Sequence, residues 1–289
     1  MRKRIKLIAN PISGGDSRPG ITKALGFFEE AEAQVDLYFT GKRGDARVEA
    51  AQLEAADFDL VIAAGGDGTL NEVANGLVGK GIPLAFLPLG TANVMALEMG
   101  LPSTLEGACR VAMYGESRPV SLAEIDGDFF LMMAGVGFDA AAVRAVSSRL
   151  KRRTGKFAYL VAGLQSFLTY RSVAFEIRTA EGDNLVAWHV IITNIRFYGG
   201  RFVMAPCAGL ERNSLTACLV DRPGRLALML FWLRIFLRGR IFGPVLRIES
   251  RSFCIDEGAA PVQIDGDDFG DSPLKINCRT GQLMMIFPK

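Results

Sequence analysis

The run DLVIAA at residues 59–64 constrains the fold more than any other segment, because it is apolar on both faces and two glycines follow it at once. A strand that is buried on both faces belongs to the interior of a parallel sheet, with helices covering either side. The flanking sequence agrees with this. Short β-branched runs alternate with segments of helical spacing through the first 120 residues, which predicts βαβ units and a doubly wound α/β fold.

The pattern changes after residue 118, where β-rich runs become frequent and helical segments rare. We therefore predict an α/β domain over residues 1–120 and a mostly antiparallel, β-rich domain over residues 121–274. The tail, residues 275–289, fits either domain. Strands are predicted at 3–9, 35–40, 59–64, 83–87, 120–125, 129–134, 173–179, 186–193, 215–220 and 251–255, and helices at 21–31, 46–56, 69–77, 91–99, 139–167 and 226–237.

Composition excludes several kinds of function. The 289 residues carry 33 Lys and Arg against 31 Asp and Glu, a net charge of +2 that gives no sign of a nucleic-acid partner. The single histidine, His189, excludes a metal site of several histidines, and its strand context favours a structural role.

Cysteine usage and apolar segments predict a location. The five cysteines are scattered and form no C-x-x-C pair, which is typical of a reducing compartment. The basic start is interrupted by Lys6 and is read as a first strand, not a signal peptide. The longest apolar stretch, residues 226–237, is shorter than the roughly 20 residues that span a bilayer. We expect a cytoplasmic protein.

A glycine-rich loop follows the buried strand and reads Gly65-Gly66-Asp67-Gly68-Thr69. Glycine lets backbone N–H groups approach phosphate oxygens, and the N-terminus of the next helix adds partial positive charge. Ligands of open α/β sheets bind at this edge. The loop therefore predicts a phosphate site, although it matches neither the P-loop nor the G-x-G-x-x-G pattern.

Asp67 restricts what that loop can bind, because a carboxylate repels a bare phosphate. It fits beside a cation such as Mg²⁺, which prefers oxygen ligands. Thr69 and Glu72 have the spacing of a capping box, which predicts a helix with Thr69 as its N-cap. The alternative is a plain glycine-rich turn in which Asp67 and Thr69 serve only as capping groups.

These five residues resemble the nucleotide-binding motif of the diacylglycerol kinase catalytic-domain superfamily, which includes bacterial lipid kinases and sphingosine kinases; NAD kinases share a similar motif. The resemblance implies a Rossmann-like, NAD-kinase-like nucleotide domain, a β-rich lipid-substrate domain, and ATP- and Mg²⁺-dependent kinase activity. Further segments resemble the family in the same order along the chain: residues 10–14 (NPISG), 87–93 (LPLGTAN), 135–140 (GVGFDA), 151–159 and 194–206.

The resemblance also implies roles for single residues. Asp67 would reach the Mg²⁺ that bridges the β- and γ-phosphates of ATP, directly or through water. The positions that match the family's ATP contacts are Asn10, Thr40, Gly65, Gly66, Asp67, Gly68, Thr69, Asn71 and Thr91.

The resemblance places Asp265-Gly266-Asp267 where the family has Asp-Gly-Glu. It implies that Asp267 accepts the proton of the lipid hydroxyl, with Asp268 as the alternative base. Asp267 is one methylene shorter than glutamate, which could displace the carboxylate by about 1 Å. Without the resemblance, an acidic hairpin turn is the simpler interpretation, since Asp-Gly is a common turn pair.

Arg212 occupies the place of an aspartate that, in many family members, helps to hold a structural Mg²⁺. We therefore predict that this structural metal site is absent, with the guanidinium group in the place of the cation.

Residues 226–240, LALMLFWLRIFLRGR, combine aromatic side chains with arginines at helical spacing. An interfacial helix needs this combination, so the segment predicts peripheral contact with the inner membrane surface through Phe231, Trp232 and Phe236. The alternatives are a core helix of the second domain and a dimer contact.

The sequence as a whole predicts a kinase that transfers the γ-phosphoryl group of ATP to a hydroxyl of a diacylglycerol-like lipid. Two alternatives stay open. One is a kinase of a soluble acceptor, as in NAD kinase. The other is a nucleotide-binding protein with little activity, which the changes at Asp267 and Arg212 suggest.

Overall fold

The computed structural model describes residues 3–145, 170–237, 245–256 and 260–289. The first part of the chain alternates strands with helices. Its elements are β1 (Arg4–Ala9), α1 (Arg18–Glu30), β2 (Gln34–Phe39), α2 (Asp45–Ala51), β3 (Leu60–Gly65), α3 (Asp67–Leu77), β4 (Leu84–Pro88), α4 (Val94–Glu98) and α5 (Leu105–Tyr114).

The remainder is rich in strands. It contains β5 (Glu116–Ile125), β6 (Asp128–Phe130), β7 (Met133–Val136), α6 (Phe138–Ala145), β8 (Phe175–Thr179), β9 (Asn184–Ala187), β10 (His189–Thr193), β11 (Phe197–Tyr198), β12 (Phe202–Val203), β13 (Leu215–Val220), α7 (Arg225–Phe236), β14 (Leu246–Ser250), β15 (Ser252–Ile255), β16 (Pro261–Ile264), β17 (Asp267–Asp271) and β18 (Leu274–Phe287).

Successive residues of β3 face opposite layers of helices. Leu60, Ile62 and Ala64 lie in the cluster that α1 and α5 cover, whereas Val61 and Ala63 lie in the cluster that α2 and α3 cover. All five are fully buried, and burying an Ile or Leu side chain stabilises a fold by about 1.5–3 kcal/mol. Because β1, β2, β3 and β4 pair in parallel, the predicted α/β fold is confirmed.

The described strands form two large sheets and one two-stranded sheet. A ten-stranded sheet has the order β2-β1-β3-β4-β18-β15-β8-β9, with β5 paired to β18 and β6 to β5. A six-stranded, antiparallel sheet has the order β14-β13-β10-β7-β16-β17. Met285 of β18 pairs in parallel with Leu84 of β4, so the end of the chain extends the parallel strands. The boundary between residues 120 and 121 stays a prediction.

The strand predicted at residues 129–134 is two strands in different sheets. β6 pairs with β5 in the larger sheet, while β7 pairs with β10 and β16 in the smaller one. The chain crosses between the sheets at Leu131 and Met132, whose backbone N–H groups donate to the carboxylate of Asp265. That side chain replaces the ladder partners these groups lose, which allows the break.

One prediction about the helices is wrong. Thr69 is not an N-cap, because α3 begins at Asp67 with Gly66 as its N-cap, and Glu72 accepts from the backbone N–H of Gly44 instead of closing a capping box. Helix α5 was not predicted from the sequence; its N-cap Thr104 accepts from the backbone N–H of Gly107 at 3.2 Å. The helix predicted at 139–167 is confirmed as α6 through Ala145, and residues 146–169 lie outside the described part.

Candidate functional site

Three glycine-containing loops meet at the carboxyl ends of β1, β3 and β4. A Cβ atom on Gly90 would lie 2.6 Å from the Cα of Gly66, and one on Gly14 would lie 2.6 Å from the carbonyl oxygen of Leu89. Neither contact leaves room for a side chain. The backbones of these loops therefore form one continuous surface at the edge where open α/β sheets bind ligands.

The loop after β3 leads into α3 without a side-chain cap. Gly66 is the N-cap, and no side chain accepts a hydrogen bond from the first turn of α3. A Cβ atom on Gly65 would lie 2.5 Å from Oγ1 of Thr69, so glycine is required where the turn folds back on the strand. The first N–H groups of α3 thus have free donor capacity, which is the arrangement that binds anions at helix N-termini.

Asp67 turns its carboxylate toward α4. Its oxygens accept from the backbone N–H groups of Val94 and Met95, both at 3.0 Å. Burial raises the pKa of Asp67, while these two hydrogen bonds lower it. Asp67 therefore joins the loop after β3 to the start of α4, and each of its oxygens keeps a further lone pair for a donor or cation.

A cleft of about 750 Å³ opens beside these loops. Residues of both predicted domains line it. Its wall includes Asn10, Thr40, Gly68, Thr69 and Asn71 from the predicted ATP positions and Asp265, Asp267 and Asp268 from the predicted catalytic turn. Gly65, Gly66, Asp67 and Thr91 are not among its lining residues, and Thr91 is exposed in the loop between β4 and α4.

The opposite wall is the hairpin of β16 and β17. Asp267 is the first residue of β17, and its carboxylate oxygens lie 3.2 and 2.9 Å from the guanidinium nitrogens of Arg43, in the loop between β2 and α2. Asp268 pairs with Arg144 of α6 at 2.9 Å, and this arginine lowers the pKa of Asp268. Asp267 thus pairs with an arginine of the α/β part, whereas Asp268 pairs with an arginine of α6.

Asp265 is buried at the base of this hairpin. Its carboxylate accepts from the backbone N–H groups of Leu131, Met132 and Met133, at 3.3, 3.2 and 2.8 Å. Burial, with a smaller contribution from the charge of Asp67, raises the pKa of Asp265 to about 7 against the effect of the three hydrogen bonds. The two carboxylates therefore repel each other, and a cation near them would relieve that repulsion.

Two further contacts join α2 and α3 to the β5–β6 hairpin. The side-chain amide of Asn75 donates to the carbonyl of Phe129 at 2.7 Å and accepts from its N–H at 2.9 Å. Arg47 pairs with Asp128 at 2.6 Å. These contacts attach α2 and α3 to the β5–β6 hairpin, whose Asp128 and Phe129 also line the cleft.

The described residues contain no cluster of three or more His, Cys, Asp or Glu side chains placed to hold a metal ion. Asp67 and Asp265 supply oxygen donors of the kind that Mg²⁺ prefers, so these residues fit a cation that arrives with its own phosphate ligands. Arg212 lies at the surface and pairs with Glu249 at 3.2 Å. The absence of the structural metal site stays a prediction.

The prediction that Phe231, Trp232 and Phe236 of α7 all face a membrane is wrong. Phe231 is buried in the core, and its ring lies 5.2 Å from that of His189. The Trp232 ring lies 4.9 Å from that of Tyr198. Only Phe236 of the three predicted aromatics is exposed, and residues 238–240 of the segment lie outside the described part. Within the described part of the chain, no helix is long and apolar enough to cross a bilayer.

Three residues of the site had no role assigned from the sequence: Arg43 and Asn75 were not singled out, and Asp265 was named only as part of the Asp265-Gly266-Asp267 turn. Signals for two of them were present. Asn75 follows Asn71 by one helical turn, so it lies on the same face of α3. Arg43 lies three residues after Thr40, in the loop at the carboxyl end of β2. The burial of Asp265 had no signal, because it depends on the chain crossing between the sheets at Leu131.

Comparison with known proteins agrees with this architecture. Residues 4–125 match the family described as diacylglycerol kinase catalytic domain, and residues 132–287 match the YegS C-terminal NAD kinase beta sandwich-like domain. Proteins named diacylglycerol kinase from Staphylococcus epidermidis and Bacillus subtilis are 31% and 32% identical to this chain. The matches cover 77% and 72% of this chain and 72% and 71% of those proteins.

A solved structure from Bacillus anthracis shares the fold. It has a TM-score of 0.81 and 24% sequence identity, and the match covers 99% of this chain and 95% of that one. At 24% sequence identity, the structural similarity is evidence for a shared fold only. The two-part architecture, an α/β sheet followed by an antiparallel sandwich-like part, is therefore common to both proteins.

Proposed function

Since this chain belongs to the diacylglycerol kinase catalytic-domain family and is therefore a kinase, we propose that it transfers the γ-phosphoryl group of ATP to a hydroxyl of a diacylglycerol-like lipid. One observation carries the proposal. Asp267 lines the same cleft as Asn10, Gly68 and Thr69, and it pairs with Arg43 from the loop between β2 and α2. A proton acceptor and a phosphate site on opposite walls are what transfer to a hydroxyl requires.

The phosphates of ATP bind along the wall formed by the three glycine loops. The uncapped first turn of α3 donates N–H groups to the phosphate oxygens, and the helix N-terminus favours their negative charge. Asn10 and Thr69 are close enough to act together, with the Asn10 amide nitrogen 3.5 Å from Oγ1 of Thr69. Thr40 and Asn71 complete the polar lining on this side.

Mg²⁺, when bound, neutralises the phosphate charge and stabilises the charge that develops during transfer. Asp67 is the residue that would hold it, directly or through water, with Asp265 as the neighbouring carboxylate. The phosphates of ATP and water would supply the other ligands, as is usual for Mg²⁺ at nucleotide sites.

Asp267 is the general base. The hydroxyl oxygen of the acceptor attacks the γ-phosphorus atom, the bond from that atom to the β–γ bridging oxygen breaks, and ADP leaves. Asp267 takes the hydroxyl proton. Arg43 has to leave this carboxylate for the base to act, and the triphosphate gives its guanidinium group another partner, since arginine binds phosphate oxygens in bidentate geometry.

The direct test follows labelled γ-phosphate from ATP to a panel of lipid alcohols in mixed micelles with Mg²⁺, beside a lipid-free reaction. Label in one lipid product supports the proposal and identifies the acceptor. Label only in a soluble acceptor, such as NAD, replaces it with the soluble-acceptor alternative. ATP binding without label in any product points to a weakly active nucleotide-binding protein.

We also propose that α7 approaches a membrane surface through side chains other than those first predicted. Phe202 and Phe236 are 41% and 46% exposed, and their ring centroids lie 4.8 Å apart. Leu226 and Met229 of α7 are also exposed. Exposed aromatic and aliphatic side chains on a helix and its neighbouring strand are suited to partial insertion at a lipid interface.

Flotation with vesicles of anionic lipid tests this contact. The variant with Phe202→Ser and Phe236→Ser should lose vesicle binding, whereas Val186→Ser, which changes an equally exposed apolar residue on β9, should keep it. Equal binding by all three proteins would rule out this surface as the contact.

A further inference from the structure

A buried polar chain runs through the second part of the molecule toward the β16–β17 turn. Asp139, in the first turn of α6, is buried, and its Oδ1 accepts from the hydroxyl of Tyr198. Its Oδ2 accepts from Nε2 of Gln263 at 2.8 Å. The Oε1 atom of Gln263 then accepts from the backbone N–H of Gly266 at 2.7 Å. Three side chains and one turn amide are therefore connected in series.

The direction of this chain is fixed by chemistry. A carboxylate only accepts hydrogen bonds and a backbone N–H only donates, so the amide of Gln263 has one orientation that satisfies both neighbours. Gln263 is buried in β16. Its contacts are therefore protected from competing water, and loss of either one leaves a buried polar group without a partner.

Gly135 makes room for this arrangement. A Cβ atom at this position would lie 2.4 Å from Oδ2 of Asp139 and 2.9 Å from Nε2 of Gln263. No side chain fits there. Gly135 and Asp139 both belong to the segment GVGFDA at residues 135–140, and both are needed for the hydrogen bond to Gln263. This explains part of a motif that has no role in the phosphate site.

The turn that the chain reaches sets the start of β17. Asp265 and Gly266 form a two-residue loop with φ of +48° and +86°, and the flanking Ile264 and Asp267 pair across it. The loop is held from two sides, by the Asp265 carboxylate on the N–H groups of residues 131–133 and by the Gly266 N–H on Gln263. Left-handed backbone at Asp265, which is not glycine, needs such support.

We infer that Tyr198, Asp139 and Gln263 are positioning residues that hold the Asp265–Gly266 turn, and through it the carboxylate of Asp267, in place for proton transfer. This inference rests on the proposed function. None of the three touches the reacting atoms, so their effect passes through the geometry of Asp267. Misplacement of a catalytic group by about 1 Å can cost on the order of 100-fold in rate.

Gln263→Leu tests the inference, because it keeps the volume of the side chain and removes both hydrogen bonds. We expect kcat to fall about 10- to 100-fold, with the KM and Kd for ATP within twofold of the wild type. Tyr198→Phe removes only the donor at the far end of the chain and keeps the ring beside Trp232. It is the second variant if Gln263→Leu does not fold, and its kcat should fall at least fivefold.

Ser250→Ala is the matched control. Ser250 is buried in the same part of the chain, accepts from the N–H of Ala180 and donates to the carbonyl of Ser252, and has no contact with the turn. Its kcat should stay near the wild-type value, measured at the same interval below the Tm of each protein.

The outcomes separate the inference from the proposed function. Suppose that the wild type transfers phosphate. If the kcat of both test variants stays within fivefold of that of Ser250→Ala, or if their ATP affinity falls in proportion to kcat, the positioning role is wrong. The kinase proposal stands in either case. If the wild type transfers phosphate to no acceptor, the proposed function fails and the inference fails with it.

Discussion

The guanidinium group of Arg43 lies against both carboxylate oxygens of Asp267, at 3.2 and 2.9 Å, although the two residues are 224 positions apart. Arg43 follows β2 at the carboxyl edge of the parallel strands, and Asp267 begins β17 of the antiparallel sheet. The pair is open to solvent, so it contributes little to stability, about 0–1 kcal/mol. The pair matters for the geometry of the site, because it connects the loop after β2 with the proposed base, Asp267, across the cleft.

Arg43→Ala should raise the KM for ATP about tenfold, the loss expected for one charge-assisted phosphate contact worth about 1.4 kcal/mol. The Tm should not change measurably. Arg110→Ala is the control, since Arg110 forms an exposed ion pair with Glu106 on α5. Steady-state kinetics at several ATP concentrations give the comparison. An unchanged KM in Arg43→Ala would show that the arginine does not transfer to the phosphates.

Asp267→Asn should reduce kcat at least about 100-fold, the usual effect of removing a general base, while ATP binding is kept. Labelled-phosphate transfer and ATP titration measure the two quantities separately. Asp268→Asn identifies the alternative. If that variant loses transfer and Asp267→Asn does not, the base is Asp268, and the ion pair with Arg144 has to open during the reaction.

Much of the α/β part could be predicted from local pattern. The apolar strand before Gly65 had to be buried on both faces, and the structure places its residues in two helix-covered clusters. The glycine loop lies at the strand end where it was expected. The start of α3 was missed, because Gly66 caps the helix without a side chain and so leaves no capping signal.

The site itself depended on long-range pairing that local pattern does not encode. Asp265 accepts hydrogen bonds from residues 131–133, more than 130 positions earlier in the chain. The β16–β17 hairpin was interpreted as a catalytic motif on the resemblance and as an acidic turn without it, and local pattern does not decide between the two. Only the strand order of the second sheet brings that turn opposite Arg43. The mistake at Phe231 has the same origin, since helical spacing cannot tell a core aromatic from an interfacial one.

Gly90→Ala should disturb the phosphate wall, because its Cβ atom would lie 2.6 Å from the Cα of Gly66, where backbone cannot easily move. We expect a loss of about 1–3 kcal/mol in the free energy of unfolding, as for other overpacked sites, and weaker ATP binding. Gly26→Ala on α1 is the matched control, with nothing within 4 Å of the added methyl group.

The control should change stability in the opposite direction. Alanine is favoured over glycine inside a helix by about 0.5–1 kcal/mol, so Gly26→Ala should be more stable than the wild type and bind ATP equally well. Urea unfolding and ATP titration of the two variants give both quantities. If Gly90→Ala has the same free energy of unfolding and the same ATP affinity as the wild type, the prediction is wrong, because the loops of Gly66 and Gly90 would then move apart without loss of stability.

His189 should lower stability in mild acid. It is buried in β10, and its Nδ1 lies 3.1 Å from the carbonyl oxygen of Val136, so the neutral ring carries its proton on Nδ1 and donates it there. Burial lowers the pKa of His189 to about 4, whereas the value in the unfolded chain is 6.5. Between these two values the unfolded chain binds a proton that the folded protein does not, so acid favours unfolding.

The contribution of His189 to the free energy of unfolding is complete above pH 6.5 and is lost as the pH falls toward 4, by up to about 3 kcal/mol. His189→Phe should lack this part of the pH dependence when urea unfolding is compared at pH 7 and pH 5. Because the chain has one histidine, its ring resonance gives the folded-state pKa directly by NMR. A midpoint near 6.5 in the folded protein would contradict the prediction, since the ring would then be exposed to water rather than enclosed by Phe231 and Trp232.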